Sequence, residues 1–244
     1  MHEKGLGVEK SPEEAARWYE KGSELGHVWS QAKLGFAYEL GIGVPVVPEA
    51  AAKWYHMAAS QGHVISQYRI GSCYERGFGV PRIPLEAVKW YRLAAGQGHA
   101  AGQRALGEMY EKGSGIDQSY ETAAEWYAKA AEQGDQWAQM RLAELYYRGR
   151  GVPKSLEEAA RLFEKSASQG NRFSMYSLGY MYEGGFGVEK SQQKAVELYR
   201  EAAEKGSKDA KAALDRLFPG SGSKRSPDHD PVEPVVQVGH GDSG

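Results

Sequence analysis

Residues 74–80 read YERGFGV, two glycines one residue apart behind a tyrosine. Glycines so spaced ahead of a helix let backbone N–H groups approach a phosphate, but the pair is weak evidence without a preceding strand and a third glycine. Its recurrence decides the reading. The same Gly-x-Gly begins at Gly5, Gly41, Gly77, Gly113, Gly149 and Gly185, each 36 residues after the last. A cofactor loop occurs once, whereas punctuation occurs in every unit. Repeats of this size signal a solenoid in which each unit buries its neighbours' faces.

Full units begin at Val28, Val64, Ala100, Gln136 and Arg172, with a partial unit before them and another over 208–218. The second half of a unit carries one helical stripe: Ala51, Trp54, Tyr55, Ala58, Ala59 and Gly62 stand at i, i+3, i+4, i+7, i+8 and i+11. Ala87 to Gly98 and Ala123 to Gly134 repeat it. The first half carries Ser30, Leu34, Ala37 and Tyr38, with equivalents Ser66, Ile70, Cys73 and Tyr74. Each unit is therefore expected to be an antiparallel helix pair joined by the Gly-x-Gly loop, with glycines supplying positive φ and chain reversal. This predicts an all-α, right-handed α-solenoid over residues 1–218. The first unit has its loop and second helix but no first helix, which predicts an upstream segment beyond this chain.

The units resemble the Sel-one-like repeats, relatives of the tetratricopeptide repeats, through LG-x-x-Y-x-x-G-x-GV at Leu34 to Val44 and A-x-x-WY-x-x-AA-x-QGH at Ala51 to His63. The fourth full unit departs with Ala143 for glycine and Leu162-Phe163 for Trp-Tyr, and the fifth has Leu198 for Trp. The resemblance implies an adaptor that assembles protein complexes. Some secreted members stitch each repeat with a cysteine pair, which a chain whose one cysteine is Cys73 lacks.

Repeat position accounts for most aromatic residues, so the informative ones are those left over. On the first helices, unit positions 29, 32, 33, 36 and 40 share a face turned away from the Ser30–Leu34–Ala37 stripe. That face differs from unit to unit. It offers Trp29 and Phe36, then Tyr68 and Arg69, then Arg104, then Trp137, Met140 and Arg141, and finally Phe173, Tyr176 and Tyr180. In the related superhelices the first helices line the concave side, which implies one continuous groove of aromatic and basic residues. Aromatic and Arg side chains are the types enriched at binding hot spots. The competing reading is that these side chains seal neighbouring units.

Composition excludes other classes. The 30 basic and 32 acidic residues become 28 of each once Lys224, Arg225, Asp228, Asp230, Glu233 and Asp242 are set aside. A body so balanced argues against nucleic acid, whose binders show a basic excess. No apolar run approaches the roughly 18 residues that cross a bilayer, so no direct membrane insertion is expected. His27, His63 and His99 are too far apart in neighbouring repeats, at least about 10 Å, to share a metal. Asp135, Asn171 and Ser207 replace them, as a turn-capping role allows. No cofactor, nucleophile elbow or paired-histidine motif is legible. The reading is a non-enzymatic scaffold holding a partner's peptide segment, with a glycan or cell-wall ligand as the alternative and an unrecognised enzyme third.

Residues 219–244, PGSGSKRSPDHDPVEPVVQVGHGDSG, abandon the period. Their composition predicts a flexible segment. Acidity, prolines and a short apolar run suit an extended groove. The expectation is that Asp228, Asp230 or Glu233 meets Arg69, Arg104 or Arg141, with Val235, Val236 or Val238 on the aromatic surface, in the same chain or a neighbouring one.

Overall fold

The computed structural model describes residues 11–219. Its twelve helices among these residues are α1 (Pro12–Glu24), α2 (Val28–Leu40), α3 (Pro48–Ser60), α4 (Val64–Arg76), α5 (Pro84–Gly96), α6 (Ala100–Lys112), α7 (Tyr120–Glu132), α8 (Gln136–Arg148), α9 (Leu156–Ser168), α10 (Arg172–Gly184), α11 (Gln192–Glu204) and α12 (Lys208–Leu217). Even-numbered helices are the first members of the sequence repeats and odd-numbered helices the second. The chain divides into two compact units that part between Gln133 and Gly134. The first holds α1 to α7 and the second α8 to α12. In each, consecutive helices pack in order, most extensively across the Gly-x-Gly hairpins.

Helix ends follow from local chemistry. The serines at 11, 119, 155 and 191 cap α1, α7, α9 and α11 by accepting a backbone N–H three residues on. Pro48 and Pro84 open α3 and α5 instead, where the missing proline N–H costs nothing. At the other end of α4, Gly77 is left-handed at φ 75° and its N–H reaches the Cys73 carbonyl. Gly79 follows at φ 68°. A Cβ there would overlap the Pro48 carbonyl at the start of α3. The second glycine is thus required twice, by its backbone angle and by the preceding hairpin. This is the structural role expected of the loop.

The core is a series of buried tyrosines set among alanines. Tyr91 is 1% exposed and packs with Ala87, Val88, Leu106 and Met109. A buried ring of this kind removes roughly 150–200 Å² from water, worth about 4 kcal/mol before entropy. The ring lies flat on Gly71 of α4, where a Cβ would stand 2.7 Å from Tyr91 Cδ1. Trp90, its neighbour in sequence, instead packs against the cluster that Ala51 and Tyr55 of α3 form with Ile70 and Cys73 of α4. The Trp-Tyr pair therefore seals two hairpins with adjacent residues.

Candidate functional face of the first helices

Between the helices of four of the five full hairpins runs a recurring polar pair that sequence reasoning passed over. The Tyr55, Tyr91, Tyr127 and Tyr199 hydroxyls donate to Glu39, Glu75, Glu111 and Glu183 at 2.6, 2.6, 2.6 and 2.8 Å. Burial, with the carboxylate beside it, pushes the Tyr55, Tyr91 and Tyr199 hydroxyls above their ordinary pKa. The hydrogen bond from Arg216 holds the Glu183 carboxyl below its ordinary range. Arg69 and Arg76 both reach Glu39, at 3.4 and 3.5 Å. The signal was the recurrence of Glu at one register, sixteen residues before the tyrosine.

A second network joins glutamines. Gln97 Nε2 donates to Gln67 Oε1 at 2.7 Å, and Gln67 Nε2 donates to the Ala59 carbonyl at 3.3 Å. Gln61 with Gln31, and Gln133 with Gln103, repeat the side-chain bond in the first unit; Gln169 with Gln139 does so in the second. The histidine series caps first helices as the sequence indicated. Nδ1 of His63 and of His99 accepts from the N–H of Ser66 and of Gly102, and Asp135, Asn171 and Ser207 do the same with oxygen. His27 makes no such bond. Burial lowers the His63 pKa.

The expected site residues fall into two groups, one per compact unit. In the first, Trp29 is 58% exposed, edge-on to Tyr19 at 5.8 Å with Lys33 Nζ 5.0 Å above its ring. Arg69 covers Phe36 at 5.6 Å while paired with Glu39. Tyr68 is half-buried between the Tyr91 and His99 rings, 5.8 and 5.3 Å away. Arg104 pairs with Glu108 along α6 at 2.8 Å.

In the second unit, Trp137 is 38% exposed and its ring lies 6.0 Å from Phe173. Arg141 pairs with Glu144 at 3.2 Å, the two side chains 13 and 11% exposed. Tyr176 rests on Tyr199 at 5.7 Å, and burial raises its pKa. Tyr180 rests on Phe186 at 5.4 Å. Met140 departs from the expectation of a surface residue. It is buried in α8 at 4% exposure and serves packing, because an unbranched thioether fills the space that a tyrosine ring holds at Tyr68 and Tyr176. Asp228, Asp230, Glu233, Val235, Val236 and Val238 lie outside the described residues.

The fourth full repeat changes three of these positions together. Ala143 stands where other repeats have the glycine under the ring, Phe163 replaces the tyrosine, and Tyr147 replaces the glutamate. A cavity of about 20 Å³ opens there, lined by Phe163, Ser177, Met181, Tyr147 and Tyr180 among others. Its lining is almost wholly apolar. Glu144 and Arg148 also line it. Among the described residues, no cluster of His, Cys, Asp or Glu is positioned to hold a metal ion, and no helix is long and apolar enough to cross a membrane.

Comparison with known proteins agrees with this architecture. The Sel1 repeat model matches residues 1–27, 30–63, 64–99, 100–135, 138–171 and 173–207. A protective antigen of uropathogenic Escherichia coli with an SLR fold is 34% identical, with a TM-score of 0.83 over 90% of this chain and 48% of that one. The chain thus spans about half the length of the E. coli protein. A Sel1 repeat protein of Oxalobacter formigenes is 35% identical, with a TM-score of 0.76 over 82% of this chain and 80% of that one. An immunity protein of Pseudomonas aeruginosa, 19% identical with a TM-score of 0.52 over 93% of this chain and 88% of that one, shares the fold alone. The comparison with curated proteins returned no match. Sel1 repeat proteins are helical-repeat scaffolds that bind protein partners and are generally non-enzymatic. With six matched repeats, and tyrosine–glycine packing in every full hairpin but the fourth, the chain belongs to the Sel1 repeat family.

Proposed function

We propose that this protein is a non-enzymatic adaptor whose first-helix faces hold a peptide segment of a partner protein, so that complexes assemble on it. One contrast carries the reading. The tyrosines that match between repeats are consumed inside, with Tyr55, Tyr91, Tyr127 and Tyr199 at no more than 2% exposure. Trp29 and Trp137, which do not match the other repeats, stand 58 and 38% exposed on α2 and α8. A large indole left in water forgoes about 2–3 kcal/mol of burial, which a bound partner recovers. Arg69, stacked on Phe36 with its side chain 36% exposed, supplies donors for a partner's carbonyl or carboxylate groups.

Selection of a displayed peptide library on the wild-type chain tests the reading. Enriched peptides should bind the wild-type protein and lose at least about tenfold in affinity on Trp137→Ala or Trp29→Ala. Peptides that bind all three proteins equally, or no enrichment alongside saturable binding on a glycan array, overturn it in favour of another surface or a sugar ligand.

A further inference from the structure

Two arginines of α4 meet on one carboxylate of α2. Arg69 Nη1 lies 3.4 Å from both Glu39 oxygens, and Arg76 Nη2 lies 3.5 Å from Oε1. Glu39 is already engaged, because its Oε2 accepts the Tyr55 hydroxyl at 2.6 Å. The arginine contacts are longer than the roughly 2.7–2.9 Å of a charge-assisted bond, so Glu39 holds neither guanidinium tightly.

Aromatic rings position the guanidinium groups instead. Phe36 and Phe78 pack on the core cluster of Ala51, Tyr55, Ile70 and Cys73. The Arg69 guanidinium stands 5.6 Å over the Phe36 ring and that of Arg76 stands 5.5 Å over Phe78. A stacked guanidinium keeps its N–H groups on its edge, where they suit a carboxylate. Nε and Nη2 of Arg69 and Nη1 of Arg76 have no hydrogen-bond partner among the described residues. The two arginine side chains are 36 and 47% exposed against 10% for Glu39, so a ligand reaches the donors while the compensating carboxylate is set back.

Two guanidinium charges against one carboxylate leave one positive charge uncancelled. The next charges along α4 do not remove it. Glu75 takes the Tyr91 hydroxyl and Arg82 reaches the Glu75 carbonyl at 3.0 Å, one charge of each sign. One repeat on, the same register offers no arginine pair: Ala105 stands in place of Arg69, and Lys112, in place of Arg76, turns to Glu108 at 3.5 Å. A single remaining charge asks for a monoanion. A carboxylate brings the cluster to neutrality, whereas a phosphate group, at about −1.5 to −2, overshoots it.

We propose that Arg69 and Arg76 form a recognition site for a peptide carboxylate, which joins Glu39 between the two guanidinium groups. The site gives the adaptor function a partner chemistry, an acidic peptide, and rests on that reading for the source of the carboxylate. Its selectivity for charge is measured with small peptides and no partner protein, so the two fail separately.

Titration of the full chain with the end-capped peptide Ala-Asp-Leu-Ala, followed through the arginine Nε–Hε resonances, tests the proposal. The Arg69 and Arg76 signals should shift and saturate, with affinity about tenfold above that for capped Ala-Asn-Leu-Ala. The asparaginyl peptide with a free C-terminus presents a terminal carboxylate instead; binding of either acid supports the site, and the tighter one names the source. Glu39→Gln keeps an acceptor for the Tyr55 hydroxyl and should tighten the aspartyl peptide about tenfold, the effect of removing one like charge from roughly 6 Å away in a half-solvated site. Arg69→Gln with Arg76→Gln should erase the difference between the aspartyl and asparaginyl peptides. If Glu39→Gln does not fold by helical circular dichroism, Arg76→Gln replaces it and should weaken the aspartyl peptide about fivefold. Equal binding of the acid and amide peptides by wild type overturns the proposal, as does an affinity indifferent to these substitutions. Tighter binding of a phosphoseryl than of an aspartyl peptide also overturns it, assigning the arginines to phosphate. Library peptides that need Trp29 or Trp137 yet ignore every change at Glu39, Arg69 and Arg76 would sink this site and leave the adaptor function standing.

Discussion

The Tyr91 hydroxyl donates to Glu75 Oε2 at 2.6 Å while its ring lies on the bare backbone of Gly71, so one side chain joins α4 and α5 through both a hydrogen bond and a close packing contact. The two halves of this contact separate by mutation. Tyr91→Phe removes only the hydrogen bond and should cost about 1–2 kcal/mol. Gly71→Ala sets a methyl against the ring and should cost about 1–3 kcal/mol through overpacking. Denaturant midpoints measured with helical circular dichroism check both. A Gly71→Ala protein as stable as wild type would show that the hairpin opens freely, contrary to the packing described.

The histidine caps make stability depend on pH. His63 Nδ1 accepts the Ser66 N–H, which requires the neutral ring, and burial lowers its folded pKa. A depressed histidine contributes stability that is complete above its unfolded pKa of about 6.5 and is lost as pH falls from there through the folded value. His63→Asn, copying the cap that Asn171 provides, should flatten the pH dependence of the unfolding midpoint between about pH 7 and pH 5. An unchanged slope would place the dependence elsewhere.

The glutamine network predicts an asymmetry between substitutions of equal polarity. Gln67 bonds both Gln97 and the Ala59 carbonyl and is 4% exposed. Gln67→Ala removes both bonds and leaves a void, although the Ala59 carbonyl keeps the Gly62 N–H, and should cost about 2–4 kcal/mol. Gln67→Met keeps the volume, as Met175 does at the same register in the second unit, and should cost less by about 1–2 kcal/mol. Thermal unfolding of the two variants gives the comparison.

Exposed rings should behave in the opposite way. Trp29→Ala should leave the unfolding midpoint within about 0.5 kcal/mol of wild type, since its indole is mostly in water. Trp137→Ala should cost up to about 1 kcal/mol through its contact with Phe173. Peptide affinity should fall in both. A large loss of stability without loss of binding would assign these indoles to packing.

Much of the face could be read from the chain, because residues that fail to match their repeat equivalents stand out once the period is known. Trp29 and Trp137 were found that way and do stand exposed. Met140 was misjudged by the same rule, since register on a helix does not say whether the neighbouring hairpin closes over it. The Glu–Tyr pairs escaped notice for the reverse reason. Their members match in every regular repeat, and only packing shows that residues sixteen apart touch.

The chain alone determined the 36-residue period, the helix pairs and the glycine loops, because helical periodicity, capping and positive-φ turns are local and repeat with the sequence. Tertiary structure decided the rest. It determined that Gly79 is closed in by the Pro48 carbonyl, that glutamines link across thirty residues, and that Ala143, Tyr147 and Phe163 together leave a recess. Those outcomes depend on how closely two helices approach, which is the sum of many side-chain contacts and is written at no single position in the sequence.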